Sequence, residues 1–236
     1  MKCTKGRQAI GALLACGLLS SCANQTKSQG SLVIPAHAVV GVQQEQLRPE
    51  FWIARESNAK KLVLDSQSIA LQNARLMKLD PSVHDLEKMP GELAAAEVRT
   101  WIEKISQYPD EDMFDDSGRK LERPDFDALM NNVALESVPA SQHSRYGLVV
   151  KRADLRTFPS PMRGYESADD RDVDRFQETA LFPGTPVLIA HESRDGNWWF
   201  IVSPQYAAWV EKRFIAEGAA NEVFAYTRKT DRKSVV

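Results

Sequence analysis

The chain has 236 residues, of which 43% are hydrophobic and 26% charged, with a formal net charge of −2. That hydrophobic share supports a packed core in one or two domains of ordinary globular type. The near-neutral balance gives no electrostatic basis for nucleic-acid binding.

The first residues read as a targeting segment and not as fold. Lys2, Lys5 and Arg7 form a positive start, and Ala9 to Leu19 is an apolar run of signal-peptide length, too short to span a membrane as a mature helix. It ends in Leu19-Ser20-Ser21-Cys22, which resembles the lipobox of bacterial lipoproteins. The resemblance implies a signal over residues 1–21 and a lipidated N-terminal Cys22 facing the periplasm. Ala23, at the position after it, favours the outer membrane over the inner one. Each buried methylene of an acyl chain contributes about 0.8 kcal/mol, so several chains anchor firmly. Cys3 and Cys16 leave with such a signal. The mature chain is then expected to have no free thiol, no disulfide and no cysteine nucleophile.

Residues 22–46 read as a tether, opening on the linker-like NQTKSQGS. Residues 47–140 read as mainly helical. Pro49 to Ile53 makes a short helical turn, and Lys61 to Leu64 a short strand or extended pass. Asp65-Ser66 caps a helix over about Gln67 to Leu79, with Ile69, Asn73 and Leu76 on one face. Asn73, on that apolar face, is expected to tie the helix to a neighbouring loop. Gly91 to Gln107 reads as the clearest helix, with Leu93, Ala94, Val98, Trp101, Ile102 and Ile105 as its stripe. Asp110 to Glu122 is an acidic loop, and Pro124 to Leu135 a further helix burying Phe126, Leu129, Met130 and Val133.

From Tyr146 to Ala216 the pattern changes to short apolar runs separated by turn signals, which points to a small barrel or sandwich. Thr185 to Ala190 and Trp198 to Ser203 suit pleated strands, and Asp195-Gly196 between them is a hairpin signal. Pro183-Gly184 marks the turn into the first of them. Trp198 and Trp209 are expected in the core or lining a groove. Trp198 and Trp199 point to opposite faces, so one of the two is exposed. The fold class expected is α+β by segregation, a helical region followed by an all-β barrel over residues 145–217. Glu222 to Tyr226 reads as the start of a further strand.

LRTFPS, ALFPGTPVLIAHESRDGNWWFIV and AAWV together resemble a bacterial SH3-like domain, with Ala208 where that pattern closes on Gly. The insert Asp174-Arg175-Phe176-Gln177-Glu178-Thr179 resembles, in particular, the first SH3-like domain of NlpC-type cell-wall cysteine peptidases. The words Phe51-Trp52, Ser68-Ile69 with Asn73, and Trp101-Ile102 resemble the helical clip of the same peptidases. The resemblance implies a part of a periplasmic endopeptidase that cleaves the γ-D-glutamyl to diamino-acid bond of peptidoglycan stem peptides. Its catalytic Cys/His domain would lie in cis, beyond the residues read here, and would be the partner of this part alongside stem peptide and membrane. Residues 218–236 then read as the start of a missing domain plus a non-native tail, because Asp231 to Val236 can be encoded by a common sequencing adapter. The alternative is a complete, non-enzymatic lipoprotein that binds cell-wall peptide or a partner protein.

Within the chain itself the residues carry no recognisable catalytic set. His37, His84, His143 and His191 lack metal-site spacing, Asp115-Asp116-Ser117-Gly118 is a poor copy of a calcium loop, and there is no nucleophile elbow or phosphate loop. No cofactor or metal is expected. The long arm Arg163 to Gln177 is the best candidate interaction surface, since long loops on rigid scaffolds often carry function. The resemblance directs Tyr165, Asp174 and Gln177 toward a substrate or partner domain, with structural capping of a short helix as the other role for Asp174 and Gln177. Phe176 and Leu181 are expected beneath the barrel.

Overall fold

The computed structural model describes residues 40–58 and 60–229. Cys22, the signal, most of the tether and the tail from Thr230 lie outside the described residues. The chain divides at Val63/Leu64 into two units.

In the first unit a 3-10 turn, Gln44–Leu47, leads into α1 (Pro49–Ile53), which has Pro in its first turn as expected. The Trp52 indole N–H donates to the Gln46 carbonyl at 2.7 Å, and Arg55 lies over the Phe51 ring at 3.3 Å.

The second unit opens with residues 64–65 in non-regular backbone, and residues 61–63 of the first unit form no strand either. α2 (Ser66–Leu79) starts where the Asp65 carboxylate accepts the Ser68 N–H at 2.7 Å. None of its residues is buried, so the apolar face carrying Ile69 and Leu76 is exposed and Asn73 is not a buried amide. Asn73 ties the helix to no loop among the described residues. Periodicity located this helix but not what lies against it.

β1 (Glu92–Ala94) and α3 (Ala95–Ile105) replace the single helix expected from Gly91 to Gln107. Leu93 fits the helical stripe by spacing, but it belongs to a strand paired with β2 (Ser141–His143), and the Ala95 N–H donates to the Ala140 carbonyl. Val98 and Ile102 are buried as expected. α4 (Arg123–Val133) buries Phe126, Leu129 and Val133 and ends at Ala134, whose left-handed φ of 52° turns the chain.

Seven antiparallel strands follow: β3 (Arg145–Val149), β4 (Ala153–Arg156), β5 (Gln177–Leu181), β6 (Pro186–Glu192), β7 (Trp198–Val202), β8 (Ala207–Glu211) and β9 (Ile215–Gly218). Their order in the sheet is β5-β4-β8-β7-β6-β3-β9. Strand alternation sorts their side chains into two cores. Val187, Ile189, Ile201, Ala208 and Val210 join Leu155, Leu181, Val149 and Ile215 in one cluster. That cluster draws on all seven strands, including both edges, so the sheet curls around it as a small barrel. Leu188, Phe200, Val202 and Trp209 face the other way and share a second cluster with α3, α4 and Leu93. The helical and β parts of the unit are therefore joined by a common core.

The hairpin between β6 and β7 turns at Gly196, with φ of 72°, as Asp195-Gly196 signalled. A bulge after Ile189 breaks the simple alternation of β6. It lets both Ala190 and His191 point toward the helices, where His191 Nε2 donates to the Val133 and Ala134 carbonyls at 3.1 and 3.2 Å. Ala208 is fully buried and paired with Ile201, so β8 accommodates a methyl group there. The residues expected as a further strand form α5 (Ala220–Thr227) instead. A short apolar run fits either state by pattern alone. Here Val223 and Phe224 are buried, and the Phe224 ring meets Tyr146 at 5.1 Å between centroids. Among the described residues no helix is long and apolar enough to cross a membrane.

Candidate functional site

The site forms where the long arm leaves β4 and returns to β5. Arg156 is the last residue of β4 and is only 6% exposed. A buried guanidinium must be paired. One of its terminal nitrogens, Nη1, donates to the Asp174 carboxylate at 2.5 Å and to Gln177 Oε1 at 3.3 Å, and Nη2 donates to the Met162 carbonyl. The register shift between Leu155 and Arg156 brings this about, because Leu155 faces Thr179 while Arg156 faces Gln177.

Asp174 closes the arm as well as pairing with Arg156. Its other oxygen accepts the Gly164 N–H at 3.1 Å and the Phe176 N–H at 3.0 Å. The Arg175 N–H donates to the Gly164 carbonyl at 2.7 Å. A Cβ on Gly164 would fall 2.7 Å from the Phe176 ring, so any other residue there would push that ring or the arm out of place. Phe176 in turn sits edge-on to Phe158, 5.3 Å between centroids, in the core. Phe176 and Leu181 are both buried, as their pattern suggested.

Asp174, Gln177 and Arg156 line a cavity of about 320 Å³ with Asp154, Pro161, Arg163, Trp198 and Glu211. Among the described residues Asp154 and Glu211 pair only with exposed arginines, Arg152 at 3.3 Å and Arg213 at 2.6 Å. Such pairs are worth little and exchange readily. The cavity therefore offers two carboxylates and an amide oxygen to a cation, and the Arg163 guanidinium to a carbonyl or carboxylate. Arg156 Nε is the one buried polar side-chain atom without a partner among the described residues.

Tyr165 lies elsewhere. It is 3% exposed, its backbone exchanges two 2.8 Å hydrogen bonds with Phe114, and its hydroxyl donates to Asp116 at 2.8 Å. It fastens the arm to the acidic loop and does not line the cavity. The structure thus brings Asp174 and Gln177 together and leaves Tyr165 apart. Several of the loop's other carboxylates are engaged locally. Asp115 accepts from Ser117 and Arg119, and Arg119 also reaches Asp125 at 2.8 Å. No cluster suited to a metal ion occurs among the described residues.

Of the adjacent tryptophans, Trp198 is buried against the helical side and lines the cavity, while Trp199 is the more exposed. Arg145 and Lys212 both approach the Trp199 ring, each 5.4 Å from its centroid. Trp209 is fully buried, and its indole N–H donates to Ser106 Oγ at 2.9 Å. Arg156 is a cavity residue that sequence reasoning missed. Its signal was a basic residue closing a short strand a few residues before a long acidic arm.

Residues 161–211 match the family model of the SH3 domain (SH3b1 type), a stretch that holds the arm Arg163 to Gln177 and the strands β5 to β8. Among solved structures, the chain is similar to an NlpC/P60 endopeptidase from Photobacterium damselae subsp. piscicida, with a TM-score of 0.54 and 20% identity. The match covers 71% of this chain and 40% of that one, so the likeness is one of fold over less than half of the endopeptidase. No curated protein matches the chain.

Proposed function

We propose that this chain is the anchoring and substrate-positioning part of a cell-wall peptidase. In this reading the SH3-like domain helps place peptidoglycan stem peptides, and catalysis belongs to a Cys/His domain in cis. Cys22 carries the lipid anchor that holds the assembly at the periplasmic face of a membrane, the outer one in preference to the inner. The SH3b1 match and the fold shared with an NlpC/P60 endopeptidase support the reading.

The observation that carries it is the cavity of Asp154, Arg156, Arg163, Asp174, Gln177, Trp198 and Glu211 on the arm. A stem peptide with a free amino end presents an ammonium beside an amide. Asp154 and Glu211 supply charge to the first, and Gln177 and Arg163 supply hydrogen bonds to the second. Binding energy gathered there, remote from the reacting bond, positions the substrate.

Reading the genomic locus past the codon for Thr230 tests the cis domain. A frame continuing into a domain with a Cys/His pair supports it, and a native stop codon after Val236 overturns that part. In the complete gene product, Gln177→Leu is expected to lower kcat/KM on stem peptides with a free amino end. Unchanged kcat/KM would remove the positioning role.

A further inference from the structure

A second cavity, about 210 Å³, opens where α3 meets the turn between β7 and β8, and it shares no residue with the first. Its walls are apolar: Trp101 and Ile105 from α3, and Ala207 with the ring of Tyr206 from the barrel. The Tyr206 hydroxyl is already committed, since it donates to Glu178, and burial followed by that bond pushes its pKa up to about 12. The phenol is therefore a neutral wall at any physiological pH.

Three polar groups at this cavity have no such commitment among the described residues. Lys104 lies at the rim without an ion-pair partner. The Trp101 indole N–H has no acceptor, and neither ring nitrogen of His84 has a hydrogen bond. His84 is fixed in place all the same. Its backbone N–H donates to the Pro204 carbonyl at 2.9 Å, and its ring meets Trp101 edge-on at 6.1 Å between centroids. None of the lining residues is acidic. The cavity thus joins apolar walls to a cation and an N–H donor, with no carboxylate of its own.

We propose that this cavity binds a carboxylate carried on a small apolar group. The carboxylate lies against Lys104 and the Trp101 N–H, and the apolar part against Ile105, Ala207 and the Tyr206 ring. Its volume falls below the range of about 300–1,000 Å³ usual for drug-sized ligands, so the group is about the size of a single residue. Two sources present that chemistry: the C-terminal residue of a peptide and a free N-blocked apolar amino acid.

The test is an NMR titration of the whole chain with N-acetyl-leucine, with N-acetyl-leucinamide, and with an N-acetylated glycine peptide ending in leucine carboxylate. The Trp101 indole N–H and the His84 ring protons are the reporters. The free acids are expected to shift both, and the amide to bind at least about tenfold more weakly, as loss of a charge-assisted contact implies. In the apo state burial and then Lys104 hold the His84 pKa below its ordinary value. A carboxylate on Lys104 should raise it, which binding to apolar surface alone would not do. Lys104→Gln changes an exposed side chain and should abolish the preference for acid over amide. Tighter binding of the peptide identifies a C-terminus as the ligand, and tighter binding of N-acetyl-leucine identifies a free acid. Equal binding of acid and amide, or no shift at either reporter with any probe, overturns the proposal.

Discussion

Arg156 and Asp174 stand 18 residues apart in the chain and meet at 2.5 Å, both largely withdrawn from solvent. That contact shuts the base of the arm and sets one wall of the candidate site.

Removing one partner of a buried ion pair leaves the other uncompensated, which costs about 3–5 kcal/mol. Asp174→Ala also strips the acceptor from the Gly164 and Phe176 N–H groups. Urea denaturation should show a loss in this range, against less than about 0.5 kcal/mol for a surface change such as Asp169→Ala. A loss comparable to the surface control would mean that the pair does not hold the arm.

Gly164→Ala addresses the same closure through packing. The added methyl meets the Phe176 ring at 2.7 Å, and that ring is itself held in the core by Phe158. Overpacking of this kind costs about 1–3 kcal/mol. A thermal melt should show a lowered Tm. Phe176→Leu in the same background should recover part of it if the clash is the cause.

The strands β6 and β7 were legible because their alternation and the Asp195-Gly196 turn agreed with each other. The start of α3 was not. Leu93 satisfies helical spacing, and its true partner is the polar stretch Ser141–His143, about fifty residues on, which carries no strand signal of its own. Chain pattern reports local period and is silent about distant pairing. Asn73 shows the converse limit, since an apolar face on α2 did not reveal whether anything covers it. The pairing of Arg156 was hidden for a further reason. It depends on a register shift in the β4–β5 ladder, which no residue type announces. Asp174 and Gln177 were singled out through a resemblance; they line one cavity, while Tyr165, singled out with them, packs against the acidic loop.

Beyond the shared core, the end of α3 is hydrogen-bonded to the sheet through the serine that follows it. Ser106 Oγ donates to the Thr157 carbonyl at 2.7 Å and accepts the Trp209 indole N–H at 2.9 Å. Ser106→Ala leaves the buried Trp209 indole N–H and the part-buried Thr157 carbonyl unmatched, at about 1–3 kcal/mol for each group that water cannot reach. Equilibrium unfolding followed by tryptophan fluorescence should record a loss of at least about 1 kcal/mol.

His191 gives the fold a pH dependence whose sign follows from its burial. Burial holds its pKa below the ordinary value, while its hydrogen bonds to the Val133 and Ala134 carbonyls work in the other direction. The folded form therefore binds fewer protons than the unfolded chain. Stability is full above about pH 6.5 and falls as the pH drops through that value toward the lower folded pKa. Denaturation midpoints should be lower at about pH 5.5 than at about pH 7.5, a window above the carboxylate range. His191→Gln keeps an N–H donor and cannot titrate, so it should shrink the difference. Part will remain, because burial also depresses the pKa of His84. An unchanged difference in the variant would exclude His191 as its source.

The most direct test of the account is the binding of a stem tripeptide with a free amino end to the intact chain, followed at the Trp198 indole N–H. A saturable shift is expected that is lost when the amino end is acetylated and weakened by Asp154→Asn, which removes a cavity carboxylate away from the arm's closure. Equal binding of the free and acetylated peptides, or a shift indifferent to Asp154, would contradict the assignment of this cavity to the amino end of the substrate.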